Sequence, residues 1–308
     1  MRTALRGRVA PDSSGFTLIE MSIVLVVIGL IVGGVLVGQD LIRAAYVRAT
    51  ISQVEKFNTA VNTFYGKYQA LPGDMNYATA LNYGFATIDY NGSARGGAGA
   101  GSGNGDGLID GYGIGTETPP NNLTQLEGET SMFWSDLTYA NGMNIGLVPG
   151  SFGSGALFFY WSGGTFTYFS HLMGLTTNVV SLYLPEAKIG GGNYFYVYEN
   201  GVNYYGLSVI SGLAVGFPWL LSSPGLMVSQ AYNIDRKVDD GIATSGNVQA
   251  NYMGYSGAAN AIMASPSAAA GSYTATTCYD SNTGFYATSW GSGNNVACAL
   301  TFKMQGGD

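Results

Sequence analysis

Charged side chains are scarce in this 308-residue chain, and side chains with catalytic or metal-binding chemistry are scarcer still. Lys, Arg, Asp and Glu make up 10% of the residues, against about 25% in an average globular protein. One histidine, His171, and two cysteines leave no spacing typical of a zinc site, and the sequence contains no P-loop and no recognisable catalytic triad. We therefore expect no enzymatic activity, although a pair of carboxylates far apart in the sequence would escape this test.

The few charges are distributed unevenly along the chain. Residues 1–15 carry a net charge of +2, residues 16–70 carry +1 and residues 71–308 carry −10, which together give the total of −7. An acidic C-terminal region repels phosphate backbones, so we expect no general binding of nucleic acid. The 47 glycines and 22 tyrosines of the chain are typical of short strands joined by turns, with a polar but uncharged surface.

A long apolar segment follows a basic N-terminus. Residues 16–38 contain one charge, Glu20, and as a helix they would extend about 34 Å, enough to cross a bilayer. The arginines before the segment orient the N-terminus towards the cytoplasm. The segment is too long for a conventional secretory signal and lacks its small-residue cleavage site. Because a carboxylate in the lipid core costs about 2.5–3.5 kcal/mol, Glu20 must have a partner or reach the headgroups.

Residues 15–20 read GFTLIE, and the apolar stretch MSIVLVVIGLIVGG continues from them. This pattern resembles the type IV prepilin and pseudopilin family, whose signature is a short basic leader ending in glycine, then Phe-Thr-Leu-Ile-Glu and an apolar run. The resemblance implies cleavage between Gly15 and Phe16 by prepilin peptidase, a membrane aspartyl peptidase on the cytoplasmic side, and N-methylation of the new Phe16 amine. It also implies other pilins and an inner-membrane assembly platform as partners, with the lipid bilayer holding the chain before assembly.

Cleavage would place an ammonium group at Phe16, one helical turn from Glu20. In a packed array, Glu20 of one subunit can pair with the Phe16 ammonium of its neighbour, which removes the cost of a lone charge and fixes the axial register. The alternative is an acid that reaches the headgroups. Many major pilins have proline at the place of Val37, and its absence here favours a pseudopilin or minor pilin. Four glycines could instead supply flexibility or close helix contact: Gly29, Gly33, Gly34 and Gly38.

The sequence predicts an α+β, pilin-like fold in which a long N-terminal helix packs on an antiparallel sheet. We divide it into a cleaved leader (1–15), a transmembrane and assembly helix (16–38), its amphipathic continuation (39–70) and a β-rich head (71–308). The continuation has an apolar stripe at helical spacing, namely Val47, Ile51, Val54, Phe57, Val61, Phe64 and Tyr68. A coiled coil would use the same stripe. The LPGD sequence at 71–74 ends the helix.

Aromatic and β-branched runs in the head predict several strands, including ALFFYW, TFTYF, NYFYVYE and YYGLSVI, with a last strand ACALTFKM. A later segment predicts a helix with Ser223 as N-cap, Pro224 in the first turn and Gly241 beyond its end. LPGD, NGDG, EGETSMFWSDL and IDRKVDDG also resemble segments that recur in a subgroup of prepilin-like proteins.

A loop at 92–107 is half glycine and leads into a pattern similar to an EF-hand calcium loop. Its candidate calcium ligands are Ser102, Asn104, Asp106 and Asp110. The twelfth position is Gly113 instead of glutamate, so a bidentate ligand would have to come from elsewhere, for example from Glu117. A solvated turn of glycine, asparagine and aspartate explains the same residues.

A second group of acids lies at the end of the predicted helix, where Asp235 and Asp239 share one face and Asp240 follows. We interpret this group either as a solvated charged face or as a subunit-contact patch. A second cation site is the third interpretation, since the resemblance to pseudopilins implies calcium near the C-terminal half.

Cys278 and Cys298 predict a disulfide, because in an exported protein no further Cys and only one His could complete a metal site. The segment they enclose, 278–298, resembles the disulfide-bounded region of pilins, which implies an exposed loop that contacts neighbours or surfaces. Its aromatic residues Phe285, Tyr286 and Trp290 could equally belong to the core.

These features predict a structural subunit of a type IV pilus or of a type II secretion pseudopilus. It would be held in the bacterial inner membrane first and in a filament outside the cytoplasm afterwards. A minor tip pilin whose head binds a surface, in the manner of an adhesin, is the alternative. A membrane-tethered hydrolase is a further one.

Overall fold

A computed structural model describes residues 15–85, 103–109, 111, 128–140, 143–144, 148, 159–162, 165–168, 180–181, 184–213, 220–256, 260–264, 277–289 and 293–306. The leader before Gly15 and most of the glycine-rich loop therefore lie outside the described residues. The chain forms two compact units, Met1–Ala45 and Tyr46–Asp308, and we describe each by itself.

The described elements confirm the α+β class. The helices are α1 (Leu18–Tyr68), α2 (Tyr77–Tyr83), α3 (Gly128–Thr138) and α4 (Val228–Val238). The strands are β1 (Tyr139–Ala140), β2 (Met143–Asn144), β3 (Phe159–Ser162), β4 (Thr165–Tyr168), β5 (Asn193–Glu199), β6 (Asn203–Leu213), β7 (Leu220–Ser223), β8 (Leu226–Met227), β9 (Val248–Gln249), β10 (Tyr252–Ser256), β11 (Asn260–Ala264), β12 (Val296–Cys298) and β13 (Leu300–Lys303).

The largest sheet of the described residues has five antiparallel strands in the order β5-β6-β13-β9, with β7 also paired to β6. Its register sets Phe195 of β5 opposite Leu207 of β6, and Phe302 of β13 opposite Tyr205 of β6. Four two-stranded pairs accompany it, namely β1–β2, β3–β4, β10–β11 and β12–β8. This arrangement is the antiparallel head that the sequence predicts.

The stripe on the second half of α1 lies in the core of the head. Six of its seven predicted members are buried, and Ile51 is partly buried. Phe57 makes edge-on ring contacts with Trp134 of α3 and Phe195 of β5, with centroids 4.8 and 5.2 Å apart. The head therefore uses the stripe that a coiled coil would need.

The first part of α1 has the opposite character. Residues 18–37 are all exposed, and Leu18 retains 92% of its accessible surface. By length and composition α1 could cross a membrane. Apolar surface on this scale is stable only in lipid or against other apolar helices.

Helix α1 ends where the LPGD sequence predicts an end. Gln69, the residue after Tyr68, adopts φ +54°, and Gly73 adopts φ +86°. A Cβ at Gly73 would collide with the backbone carbonyl of Glu129 in α3. Glycine is required at this position because both the left-handed backbone and the close approach of α3 exclude a side chain.

Two predicted boundaries are wrong. Helix α4 begins at Val228, and Ser223 ends strand β7 instead of capping a helix. The backbone at Leu226 and Met227 pairs with β12, so those residues are held extended. The predicted last strand is also two strands: β12 pairs with β8, and β13 joins the five-stranded sheet. The predicted position of Gly241, beyond the helix end and with φ +77°, is confirmed.

Candidate functional site

The predicted cleavage site lies in a short non-helical stretch before α1. Gly15, Phe16 and Thr17 are exposed and have no regular secondary structure. A Cβ at Gly15 would meet no atom within 4 Å. The fold of the described chain therefore gives no reason for glycine at this position, whereas recognition by a peptidase would give one.

Glu20 closes a capping box at the start of α1. Its Oε2 accepts hydrogen bonds from the backbone N–H and the hydroxyl of Thr17, each at 2.8 Å, and the Glu20 N–H donates to the Thr17 hydroxyl at 3.3 Å. The T-x-x-E spacing of Thr17 and Glu20 is a known sequence signature of this motif, and it is the signal from which this role of Glu20 could have been predicted. Glu20 therefore stabilises the first turn of its own helix, and both hydrogen bonds from Thr17 end on one carboxylate oxygen.

A second site in the head joins LPGD to the glycine-rich loop. Asp74 is 2% exposed and accepts backbone N–H groups from Gly105 at 2.6 Å and Gly107 at 2.8 Å. The Gly73 N–H in turn donates to Asp136 of α3 at 2.8 Å.

Helix α3 supplies the other acid of this site. Glu129 is fully buried, and its Oε1 accepts the N–H groups of Gly103 at 2.8 Å and Asn104 at 3.1 Å. Three of the four short segments noted in the sequence, LPGD, NGDG and EGETSMFWSDL, thus meet at one place. The roles of Asp74, Glu129 and Asp136 could not be predicted from residue spacing, because their hydrogen-bond partners lie at least 25 residues away.

The predicted calcium loop is described only in part. Ser102 and Asp110, two of its four candidate ligands, lie outside the described residues, as do Gly113 and Glu117. Asn104 and Asp106 bond each other, since the Asn104 amide donates to Asp106 Oδ2 at 2.9 Å and the Asp106 N–H donates to Asn104 Oδ1 at 2.9 Å. The described part of the loop directs N–H groups towards buried acids, which favours the alternative of a turn. Calcium at this loop stays a prediction.

A third site is the group of acids at the end of α4. One carboxylate oxygen from each of Asp235, Asp239 and Asp240 lies within 4.8 Å of the other two. Asp235 is fully buried and accepts the hydroxyl of Tyr286 at 2.7 Å and the N–H of Gly241 at 3.0 Å. The structure therefore brings together the three acids that the sequence singled out.

The other two acids hold the loop that follows α4. Asp239 accepts N–H groups from Asn247 and Val248, and Asp240 accepts the N–H of Ile242 at 2.8 Å and the hydroxyl of Ser245 at 2.7 Å. Carboxylate oxygens have about four acceptor positions in all, so these bonds leave room for a cation. Two ligands on opposite sides of Ca²⁺ at about 2.4 Å would be about 4.8 Å apart, which fits this group. Water or backbone oxygens would have to supply the remaining ligands.

The predicted disulfide is present, and the segment that it encloses contacts the acidic site at the end of α4. Cys278 and Cys298 are bonded, with Cα atoms 5.0 Å apart, and both are buried. The enclosed segment brings Tyr286 to Asp235, and Tyr286 is 5% exposed, whereas Phe285 is 57% exposed. One of the three aromatic residues is thus in the core and one at the surface, while Trp290 lies outside the described residues. His171 also lies outside them.

Burial shifts the pKa of two of these carboxyl groups. Burial raises the pKa of Asp74 to about 6 from its ordinary value of 3.8, and the amides of Gly107 and Gly105 oppose this rise. Burial raises the pKa of Asp235 to about 7, against the opposing bonds from Tyr286 and Gly241. The ionised form of each acid is therefore the costly one in the folded head.

Comparison with known proteins identifies the N-terminal signal. A family model described as the prokaryotic N-terminal methylation motif matches residues 11–36, which include Gly15, Phe16 and Glu20. The match covers less than a tenth of the chain, and it shows a prepilin- or pseudopilin-type signal. No curated protein and no solved structure matches the chain.

The matched signal supports a type IV pilin- or pseudopilin-like protein, and the long helix with an antiparallel head is consistent with a pilin-like fold. Such a signal implies processing by prepilin peptidase and polymerisation with pilins, and the apolar helix is consistent with anchoring in an inner membrane.

The raised pKa values predict that the head is more stable in mild acid. Between about pH 4 and pH 7 the folded chain binds more protons at Asp74 and Asp235 than the unfolded chain does, so the free energy of unfolding falls as pH rises. We expect a loss of up to about 6 kcal/mol over this range, because each pKa unit of difference corresponds to about 1.4 kcal/mol. Urea unfolding of the full chain in detergent, followed by tryptophan fluorescence, measures it.

The variant Asp235→Asn should flatten this dependence, because it removes one of the two titrating groups. Asp280→Asn, which changes an acid in the disulfide-bounded loop, is the matched control and should retain the wild-type slope. Stability that increases steadily from pH 4.5 to pH 7 in the wild type would contradict the prediction.

Proposed function

We propose that this protein is a structural, non-enzymatic subunit of a helical filament outside the cytoplasm, either a type IV pilus or a type II secretion pseudopilus. The observation that carries the proposal is a prepilin-type signal leading directly into an apolar helix that is exposed throughout residues 18–37. Lipid would cover this surface before assembly, and the helices of neighbouring subunits would cover it afterwards.

Glu20 would have two successive partners in this scheme. In the unprocessed chain its Oε2 accepts both hydrogen bonds from Thr17, so Oε1 is open to another donor. Cleavage after Gly15 creates the Phe16 ammonium, and that of a neighbouring subunit can bind Oε1 without breaking the capping box. The resulting ion pair offsets the cost of a carboxylate in an apolar filament core.

The glycines of the apolar segment support contact between helices of different copies. A Cβ at Gly29, Gly33, Gly34 or Gly38 would meet no atom within 4 Å, although each glycine costs about 1 kcal/mol relative to alanine in a helix. Gly29 and Gly33 lie one turn apart on one face, and Gly34 and Gly38 lie one turn apart on another. Spacing of this kind lets apolar helices approach closely.

A major subunit and a minor subunit of the filament would differ in abundance. Val37 in place of proline favours a pseudopilin or minor subunit. A tip subunit that binds a surface is supported by Phe285, which is 57% exposed on the disulfide-bounded loop. Filaments composed mainly of this chain would indicate a major subunit, and trace amounts would indicate a minor one.

We also propose that the acidic group of Asp235, Asp239 and Asp240 binds calcium. The separation of at most 4.8 Å between their oxygens supports this proposal, and so does the like charge that a cation would neutralise. Calcium would then stabilise the loop after α4 and, through Tyr286, the disulfide-bounded segment.

Changing Gly15 should block processing without affecting the fold. Gly15→Val adds a side chain to an exposed, non-helical position with empty surroundings, so the expected defect is confined to the peptidase. Mass spectrometry of the membrane-extracted protein should find the unprocessed form, which still carries the substituted residue 15, instead of a form that begins at Phe16. Gly66→Val, at an exposed helix glycine with equally empty surroundings, is the control and should be processed normally.

Two substitutions of Glu20 separate its capping role from its charge. Glu20→Gln keeps an acceptor for Thr17 and therefore the capping box, but it removes the charge. If the ion pair drives assembly, Glu20→Gln and Glu20→Ala should both insert into the membrane and both lower filament yield at least tenfold, as measured by shearing and immunoblot. Ser22→Ala, whose hydroxyl bonds only within its own turn, is the control. Normal filaments from Glu20→Gln would contradict the ion-pair mechanism.

Calcium should raise the melting temperature of the full chain at pH 7.5. Calcium at about 100 times its Kd adds about 2.7 kcal/mol to the free energy of unfolding, and a chelator should remove this gain. Asp240→Asn should reduce the shift, and Asp280→Asn should not. Equal melting temperatures with calcium and with chelator would exclude a calcium site in the head.

A further inference from the structure

Two hollows border the part of α1 that lies in the head. The first has a volume of about 560 Å³ and lies between α1 and the 184–190 turn. Its lining includes Ser52, Lys56, Phe57, Val148, Pro185 and Lys188. The second has a volume of about 220 Å³ and lies between α1, the end of α4 and strands β9 and β13. Its lining includes Ile51, Asn58, Lys237, Val238, Val248 and Lys303.

The hollows lie on opposite flanks of α1 and at the same level along it. A helix turns about 100° per residue, so Ser52 and Lys56 fall on one side of the buried stripe, and Glu55 and Asn58 fall on the other. Two different surfaces on opposite flanks allow a head-to-tail contact, and such a contact builds an open filament when the rotation between copies does not close a ring.

The first hollow combines an apolar floor with a charged rim. Phe57, Val148 and Pro185 form the floor, and the exposed side chains of Lys56, Lys188 and Glu186 lie at the rim. We call it the lysine hollow. Two hydrogen bonds hold the 184–190 turn against α1 at this hollow: the Gln53 amide donates to the Glu186 carbonyl and accepts the Lys188 N–H, both at 2.9 Å.

The end of α4 has the complementary composition. Two residues at this end line the second hollow, Lys237 and Val238, and the next two in the sequence are Asp239 and Asp240. We call these four residues the acidic knob. Val238 is an apolar side chain that remains 38% exposed between charged neighbours.

The charges of the knob and the hollow have no ionic partners within the described part of the chain. The single ion pair among the described residues joins Arg43 to Asp40. In a head with so few cations, two lysines beside one apolar hollow and two acids beside one exposed valine are complementary. The remaining charges match as well, since Glu186 lies at the hollow and Lys237 lies on the knob.

We propose that the acidic knob of one copy of this chain binds the lysine hollow of the next copy. Val238 would enter the hollow above Phe57, Lys56 and Lys188 would face Asp239 and Asp240, and Glu186 would face Lys237. The inference rests on the proposed filament function and adds to it a contact between heads. It would set the side-by-side order of subunits whose apolar helices pack in the core.

Cysteine cross-linking tests this contact directly. The double variant Ser52→Cys/Val238→Cys places one thiol in the hollow and one on the knob, and the native cysteines are already paired. Mild oxidation of sheared filaments should give a ladder of dimers and higher multimers on a non-reducing gel. Ser52→Cys/Lys67→Cys, in which the second thiol lies several turns away along α1, should give none. Filaments of the first variant that assemble normally but form no ladder would overturn the proposal.

A charge exchange supplies a test that does not depend on cross-linking. Glu186→Lys and Lys237→Glu each place like charges in the contact and should each reduce filament yield at least fivefold. The double variant restores opposite charges and should recover most of the yield. We choose this pair because calcium at Asp235, Asp239 and Asp240 would weaken the lysine contacts but leave the Glu186–Lys237 pair unchanged.

The outcomes distinguish the contact from the filament function itself. Wild-type yield from both single variants, or a double variant no better than either single one, would overturn the head contact and leave the filament function standing. A wild-type chain that is processed but never enters a filament would overturn the filament function. A ladder that requires a second, different pilin would show that the partner is not another copy.

Discussion

The head depends on the burial of one stripe of helix α1. Phe57 is at the centre of this packing, where it meets Trp134 of α3 and Phe195 of the five-stranded sheet. At the end of the same stripe, Phe64 and Tyr68 pack with Phe85, with ring centroids 5.4 and 4.9 Å apart. One helix face thus organises α3, the sheet and the segment after LPGD. The two hollows lie beside this buried face, one on each flank of α1.

Backbone amides and hydroxyls donate hydrogen bonds to six acids of the described head. Asp74, Glu129 and Asp136 accept N–H groups from loops rich in glycine, and Asp235, Asp239 and Asp240 do the same after α4. Glycine suits these loops, since Gly103, Gly105 and Gly107 all adopt positive φ. Buried acids held in this way keep a desolvation cost, and the raised pKa values of Asp74 and Asp235 express it.

Glu20 illustrates how one side chain can serve two stages. Before processing, it caps the first turn of an exposed apolar helix through Thr17. In the proposed filament, its second carboxylate oxygen would bind a neighbour's amine. Because the capping bonds already fix the carboxylate, the loss of side-chain entropy on assembly would be smaller than for a free glutamate.

Local patterns in the sequence determined the features that depend on neighbouring residues. The apolar length of residues 16–38, the stripe from Val47 to Tyr68, the end of α1 at LPGD and the prepilin-type signal are all short-range properties. The disulfide was also predictable, because the chain has only two cysteines. The tertiary structure decided the rest. It placed Glu129 against Gly103, turned Tyr286 inward and Phe285 outward, and began α4 at Val228. Each of these depends on a partner distant in sequence, such as β12 for Leu226 and Met227, and residue spacing along the chain carries no information about which distant backbone will supply it.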